Sequence, residues 1–290
     1  TIVAALWLRS YWALVIGTLS NRLVRLPLTY RMSPYRPRLA LRSWRHLVGF
    51  SFWSWAQSMQ FLVRDRVDAF VIGRLMGTKA YGLFSVGMEI GRLPSSELVE
   101  PLSRALFSGF AAQQHDTEAT QDMYLGSLGV SFLLICPAGI GISALADPVV
   151  RLMLGEQWLA AVPVMQILAI GGVSTVFVYP SGALLTALGR IDLAFYLYAI
   201  TTVLKVVLLL VLVRYSGLIG GAIALNVVDW IDAVTISAAA LHCMRASAGA
   251  LLKRLVRPVL ASLAMVAVLG WPGMAWTPTT ATGFGPLCWD

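Results

Sequence analysis

The stretch Leu193-Ala-Phe-Tyr-Leu-Tyr-Ala-Ile-Thr-Thr-Val-Leu-Lys-Val-Val-Leu-Leu-Leu-Val-Leu-Val213 holds one charged side chain, Lys205. After Tyr215-Ser-Gly217 the chain resumes, nearly as apolar, from Ile219 to Leu241. A helix that crosses a bilayer needs about 20 mostly apolar residues, and both runs meet that length. A three-residue turn between them leaves no room for a soluble segment, so the pair reads as two successive membrane spans. The composition of the whole chain agrees. Its 290 residues are 58% hydrophobic and 12% charged, with a mean hydropathy of +0.75. Soluble domains carry about 25% charged residues, so half of the usual wettable surface is missing. That balance excludes a soluble enzyme, a nucleic-acid reader and a secreted disulfide scaffold. Cys136, Cys243 and Cys288 lack metal-ligand spacing, and His46, His115 and His242 are scattered, so no metal site and no cofactor is expected.

Working outward, further apolar runs extend over His46–Leu75, Tyr81–Phe107, Met123–Ala146, Leu159–Leu188 and Pro258–Trp271. The fold class is therefore all-α, a polytopic membrane helix bundle. Asp147-Pro148 reads as an N-cap followed by proline at the first helical position, opening a short helix at the membrane surface. Ahead of the long runs, 1–31 holds the tail of one helix and one full span from Tyr11 to Tyr30. Residues 32–45 form a polar connector with Pro34 and Pro37, and 46–271 form a lobe of about seven spans. The tail 272–290 is expected to be disordered. The chain starts at Thr1 inside an apolar run and has no signal peptide, which reads as a fragment of a longer membrane protein.

The net charge of +8 divides by position. Lys and Arg collect in cytoplasmic loops. The connector with its flank (Arg31, Arg36, Arg38, Arg42, Arg45), the turn at Arg190 and the segment 242–257 together hold ten. The opposite loops hold five: Arg9, Arg74, Lys79, Arg151 and Arg214. The bias places the connector and 242–257 in the cytoplasm, with attraction to anionic membrane lipids as a secondary effect. The other seven basic residues fall inside proposed spans.

An ionisable group at membrane depth costs at least ~2.5–3.5 kcal/mol on insertion scales and normally faces a bundle interior or a watery cavity. Ser51, Ser54, Ser58 and Asp65 share one helix face, as a cavity wall or as a small-residue packing seam. Arg64 and Asp68, four apart, are expected to pair within the helix, leaving Arg66 freer. Glu89, Arg92 and Glu97 bracket Pro94, and Glu100 and Arg104 are four apart. They read as local ion pairs at a proline kink or as the polar face of a cavity. Arg22 and Arg25 either snorkel to the cytoplasmic surface or bind an anionic headgroup. Lys205 and Asp229 lie at similar depth and are expected to pair. Asp232 is then partnerless and the first choice for a protonatable group.

Several strings together resemble the polysaccharide repeat-unit flippases, the polysaccharide transporter branch of the multidrug/oligosaccharidyl-lipid/polysaccharide exporter superfamily. They are Tyr11-Trp-Ala-Leu-Val15, Tyr35-Arg-Pro-Arg-Leu39, Arg64-Asp-Arg-Val-Asp-Ala-Phe-Val-Ile-Gly-Arg-Leu-Met-Gly77 and Tyr81-Gly-Leu-Phe-Ser-Val86. Leu93-Pro-Ser-Ser-Glu-Leu-Val-Glu-Pro-Leu-Ser-Arg-Ala-Leu-Phe107, Gly155-Glu-Gln-Trp-Leu-Ala-Ala-Val-Pro163 and Ala187-Leu-Gly-Arg190 complete the set. The resemblance spans roughly Tyr11 to Arg257.

It implies two lobes around a central cavity that opens alternately to either side. This chain would then be the C-terminal lobe plus the end of the first, truncated at its N-terminus and inactive alone. The implied task is flipping undecaprenyl-pyrophosphate-linked oligosaccharides from the cytoplasmic to the periplasmic leaflet of a bacterial inner membrane. The products would be O-antigen, capsule or exopolysaccharide, with a polysaccharide polymerase and a chain-length regulator as partners. Arginine forks suit a pyrophosphate, which nominates Arg22, Arg25, Arg64, Arg66 and Arg92, with the serine stripe and Asp65 beside them. Asp232, Asp229 and Lys205 would carry proton or ion coupling. A drug or cation antiporter of the same superfamily, and a membrane-embedded glycan polymerase or ligase, are the alternatives. The five-arginine connector and the strings disfavour the first, and the lack of a large periplasmic loop disfavours the second.

Overall fold

The computed structural model describes residues 44–113 and 116–244, with scattered helical residues between 19 and 31 and between 249 and 261. Arg22 and Arg25, most of the connector 32–45, the greater part of the span expected at 258–271 and the tail 272–290 lie outside the described residues. The chain divides into two compact units, 1–48 and 49–290. In the first, the described residues are helical. All that follows on packing concerns the second.

Its described residues form seven α-helices: α1 (Trp44–Gly91), α2 (Glu100–Gln113), α3 (Thr117–Ala144), α4 (Ala146–Met153), α5 (Val162–Gly172), α6 (Thr175–Ala187) and α7 (Ile191–Met244). Two of them are folded on themselves. In α7 the helix breaks at Ser216 and Gly217, and Gly217 takes φ 58°, a left-handed geometry that glycine adopts without steric cost. The two arms, 191–215 and 218–244, then return alongside each other. Leu209 and Val213 share one buried cluster with Ala222 and Leu225, as Tyr198 does with Ile236. This is the pair of spans expected from the opening stretch. α1 breaks likewise at Gly77, with φ 85°, and Ile72 and Phe84 from its two arms meet in the same core. The expected boundary between the first two long runs falls at this break.

Pro94 interrupts the next run. A π-helical segment, Ser95–Val99, follows it, and Ser95 and Ser96 both donate their amides to the Arg92 carbonyl, at 3.0 and 3.1 Å. Such a widened turn is common at functional sites. Asp116 caps α3 by accepting the Ala119 amide at 3.0 Å. α4 is short and amphipathic, with Ala146 and Val150 buried and Leu152 and Met153 exposed. Its start corrects one expectation. The cap position is Leu145, and Asp147 lies in the first turn, where its carboxylate accepts Arg151 Nε at 2.7 Å. That hydrogen bond, then the carboxylate's charge, holds the Arg151 guanidinium above its ordinary pKa. Proline fits any early helical position because it lacks only an amide that has no partner there, so Pro148 alone could not decide the register.

The run Leu159–Leu188, read as one span, is broken. A 3-10 segment, Glu156–Ala161, leads into α5, and α6 leaves at an angle of 43°. Ser174 at the break donates its hydroxyl to the Gly171 carbonyl at 2.7 Å. α3 and α7 are long and apolar enough to cross a membrane, and the bent α5–α6 pair passes the same test together. α1 is long enough but carries Arg64, Asp65, Arg66 and Asp68 in its middle. Phe70, Ile200, Val203 and Val234 are all at least 65% exposed. Water does not tolerate an apolar belt of this kind, and a lipid bilayer does. The protein is a membrane protein.

Candidate functional site

Three ion pairs join the α1 region to α7. Arg64 pairs with Asp232 and also donates to Thr201 Oγ1 at 3.1 Å. One turn along α1, Asp68 receives Lys205 Nζ at 2.9 Å, and the same ammonium donates to the Arg64 carbonyl at 3.0 Å. Arg92, between α1 and Pro94, pairs with Asp229. At 1.5 Å per residue, Arg64 stands about 20 Å from the turn at Gly77 and Asp232 about 22 Å from that at Gly217, deep in a bilayer core of about 30 Å.

These pairings correct three expectations. Arg64 does not pair with Asp68, Lys205 does not pair with Asp229, and Asp232 is not partnerless. Sequence spacing sets depth along a helix, but the partner is set by which neighbour a side chain faces. The folded-back arms of α7 present Lys205 and Asp232 to the same turns of α1. Interhelical partners win there because each buried charge then finds an opposite one. Arg92 likewise reaches across to Asp229 instead of pairing with Glu89 or Glu97, both of which are exposed. Glu100 and Arg104 do pair locally, at 2.5 Å, as their spacing suggested.

The pairs differ in access. The side chains of Arg64 and Asp232 are 10% and 4% exposed, and those of Arg92 and Asp229 are 28% and 19%. Both pairs open onto one cavity of ≈ 720 Å³. Gln57, Phe61, Arg64 and Asp65 line it from α1. Glu100, Ser103, Arg104 and Phe107 line it from α2, and Thr175, Val178, Tyr179 and Thr186 from α6. Tyr198, Asp229 and Asp232 close it from α7, and Ser174 from the break before α6.

Three irregularities position these groups. The π-helical turn after Pro94 carries the chain from Arg92 to Glu100, and Ser95 anchors it by donating to the Gly172 carbonyl at 2.9 Å. The bend between α5 and α6 sets Ser174, itself fully buried, in the cavity wall, and the turn at Gly217 folds the arm carrying Tyr198 back alongside the arm carrying Asp232. The guanidinium of Arg64 also lies 5.8 Å from the centre of the Tyr198 ring, within cation–π range.

Of the residues expected at a site, Arg64, Asp65, Arg92, Asp229 and Asp232 meet at this cavity. Lys205 sits behind it, locked to Asp68. The serine stripe does not follow Asp65 in. Ser51, Ser54 and Ser58 are exposed, and Ser58 returns its hydroxyl to the Ser54 carbonyl at 2.8 Å. Arg66 is also exposed. Ser103 and Tyr179 were missed, since a lone hydroxyl or ring inside an apolar run carries no signal of its own. Glu100 and Arg104, read either as a local ion pair or as part of the polar face of a cavity, are both paired and at the cavity. Among the described residues no group of three or more His, Cys, Asp or Glu could hold a metal ion.

The profile of a family described as polysaccharide biosynthesis protein matches residues 1–163. The chain belongs to this polysaccharide biosynthesis protein family. Curated relatives include the teichuronic acid biosynthesis protein TuaB of Bacillus subtilis (strain 168), 32% identical over 51% of this chain and 31% of its own length. The lipopolysaccharide biosynthesis protein WzxC of Escherichia coli (strain K12) is 27% identical over 81% of the chain and 48% of its own length. The succinoglycan biosynthesis transport protein ExoT of Rhizobium meliloti (strain 1021) is 29% identical over 55% and 33%. This family member thus spans less than half the length of each. Among solved structures, the lipid II flippase MurJ in an inward closed conformation aligns with a TM-score of 0.61 at 12% identity. That alignment covers 91% of this chain and 62% of the other, and shows a shared helical fold.

Proposed function

We propose that this chain is part of a transporter that flips undecaprenyl-pyrophosphate-linked oligosaccharide units from the cytoplasmic to the periplasmic leaflet of a bacterial inner membrane. The glycan would serve O-antigen, capsule or exopolysaccharide assembly, and a polymerase and a chain-length regulator would act on it next. One observation carries the reading: a cavity of ≈ 720 Å³ lined by ion-paired charges, hydroxyls and rings, set in a bundle whose outer faces are apolar. Such a site shelters a polar headgroup while a lipid tail stays in hydrocarbon. The names of relatives fit it, one as a transport protein for a polysaccharide and one fold neighbour as a lipid flippase.

In this reading Arg64, Asp65 and Arg92 face the substrate. Paired charges let a polar wall sit at membrane depth, because each ion's desolvation is offset by its partner. Coupling to a proton or ion is assigned to Asp229 and Asp232 at the cavity, with Lys205 behind them. Asp229 belongs to the more open pair and is the easier to release. In this reading the long apolar runs make several membrane passes, and the positive-charge bias puts 242–257 on the cytoplasmic side.

The test is flipping of a fluorescent lipid-linked oligosaccharide in vesicles reconstituted with the intact transporter. Arg92→Ala should slow the initial rate at least about tenfold, the fold-change that 1.4 kcal/mol represents. Transport of an organic cation with no transport of the glycan lipid would favour the antiporter reading instead. Extension of the glycan chain in vitro would favour a polymerase.

A further inference from the structure

Resting on the reading above, we infer that this cavity wall takes the neutral, polyhydroxylated sugar portion of the substrate and not its pyrophosphate, and that Asp65 disfavours acidic sugars. The charge inventory comes first. Three arginines line the cavity, and each already holds a carboxylate: Arg64 with Asp232, Arg92 with Asp229, Arg104 with Glu100. Each guanidinium charge is thus already balanced. A pyrophosphate drawing on an N–H left over, such as Arg92 Nε, would bring its own charge beside a carboxylate that stays in place. Displacing Asp232 instead would leave a buried, unpaired charge. Four carboxylates face the three arginines, and Asp65 is the surplus. It is exposed and makes no ion pair among the described residues. Lys205 and Asp68 cancel each other behind the wall.

The unfilled hydrogen-bonding groups point the same way. Ser103 Oγ, Arg92 Nε and Asp232 Oδ1 are buried and have no partner among the described residues. Ser103 is 7% exposed and Asp232 3%. Together they offer one hydroxyl, one donor and one acceptor. The oxygens of a pyrophosphate diester carry no proton at neutral pH and only accept, so the substrate's pyrophosphate cannot satisfy Asp232 Oδ1. Sugar hydroxyls donate and accept, as any alcohol does, and match all three. Tyr179 and Phe107, 36% and 40% exposed, add ring faces for the C–H surfaces of a pyranose. The volume of ≈ 720 Å³ lies inside the range of roughly 300–1,000 Å³ typical of small-ligand sites.

The test is binding to the chain in lipid nanodiscs, measured by thermophoresis with three soluble probes. These are a neutral glucose tetrasaccharide, a tetrasaccharide of equal length bearing two glucuronates, and inorganic pyrophosphate. The neutral glycan should bind at least about tenfold more tightly than either anion, since like charges brought together cost more than the 1.4 kcal/mol of one decade. Asp65→Asn should narrow the gap between the acidic and neutral glycans to under about threefold, and added salt should narrow it in the same direction. Ser103→Ala should weaken the neutral glycan severalfold. Pyrophosphate binding as tightly as the neutral glycan would overturn the inference, as would a discrimination indifferent to Asp65→Asn. The two readings fail separately. Flipping of the lipid-linked glycan alongside strong pyrophosphate binding here sinks only this assignment, whereas absence of flipping sinks the function.

Discussion

Replacing Lys205 with methionine should be among the most destabilising single changes in the bundle. Its ammonium lies 2.9 Å from Asp68, and the two side chains are 8% and 6% exposed. At that separation an effective dielectric of about 20 gives an attraction of about 6 kcal/mol. Most of it is cancelled by the several kcal/mol needed to desolvate each ion. The pair therefore adds little net stability compared with two apolar groups, but breaking it leaves Asp68 desolvated and alone, at a cost of about 3–5 kcal/mol. Lys205→Met also deletes the bond to the Arg64 carbonyl, worth about 1 kcal/mol. The double variant Asp68→Leu/Lys205→Met should recover most of the loss and fall within about 1.5 kcal/mol of the parent. The assay is SDS-titrated unfolding in mixed micelles, followed by circular dichroism. A single variant losing less than about 1 kcal/mol, with effects that simply add in the double, would refute the buried-pair reasoning.

Two further changes test packing and polar contacts. Gly139→Ala would place a methyl 2.8 Å from the Ala169 carbonyl oxygen and 3.0 Å from Val173 Cγ2, so it should cost about 1–3 kcal/mol in the same titration. Gly141→Ala, with nothing within 4 Å of the added carbon, is the matched control and should gain up to about 1 kcal/mol from helix propensity. Tyr124→Phe removes a buried hydroxyl 2.7 Å from Ser181 Oγ. Because Ser181 keeps its bond to the Phe177 carbonyl, the loss should be about 1 kcal/mol.

The membrane class, the hairpin around Tyr215-Ser-Gly217 and the irregularity at Pro94 were all legible in the sequence. Long apolar runs and their punctuation are local signals. The bend inside 159–188 also left a trace, in Gly171-Gly172 followed by Ser174, but an apolar run long enough to span hid it. Ionisable residues at membrane depth nominated Arg64, Asp65, Arg92, Asp229 and Asp232, and all five line the cavity. Their pairing was not legible. Spacing along one helix reports height and not the facing of three helices packed together, so Lys205 and Asp229, similar in height, have different partners. The serine stripe misled for another reason. A serine hydroxyl can satisfy itself on its own helix backbone, as Ser58 does, so a serine needs no cavity where a carboxylate does. Ser103 and Tyr179 became visible only once α2 and α6 stood around the ion pairs.

Photocrosslinking from inside the cavity is the most direct test of what it carries. A benzophenone amino acid in place of Tyr179, which lines the cavity and is 36% exposed, would be irradiated in intact bacterial membranes and its adducts identified by mass spectrometry. The account predicts adducts of a lipid-linked oligosaccharide with the bond on a sugar ring, diminished in the Asp232→Leu variant. Adducts of phospholipid alone, or of a small organic cation, would contradict it.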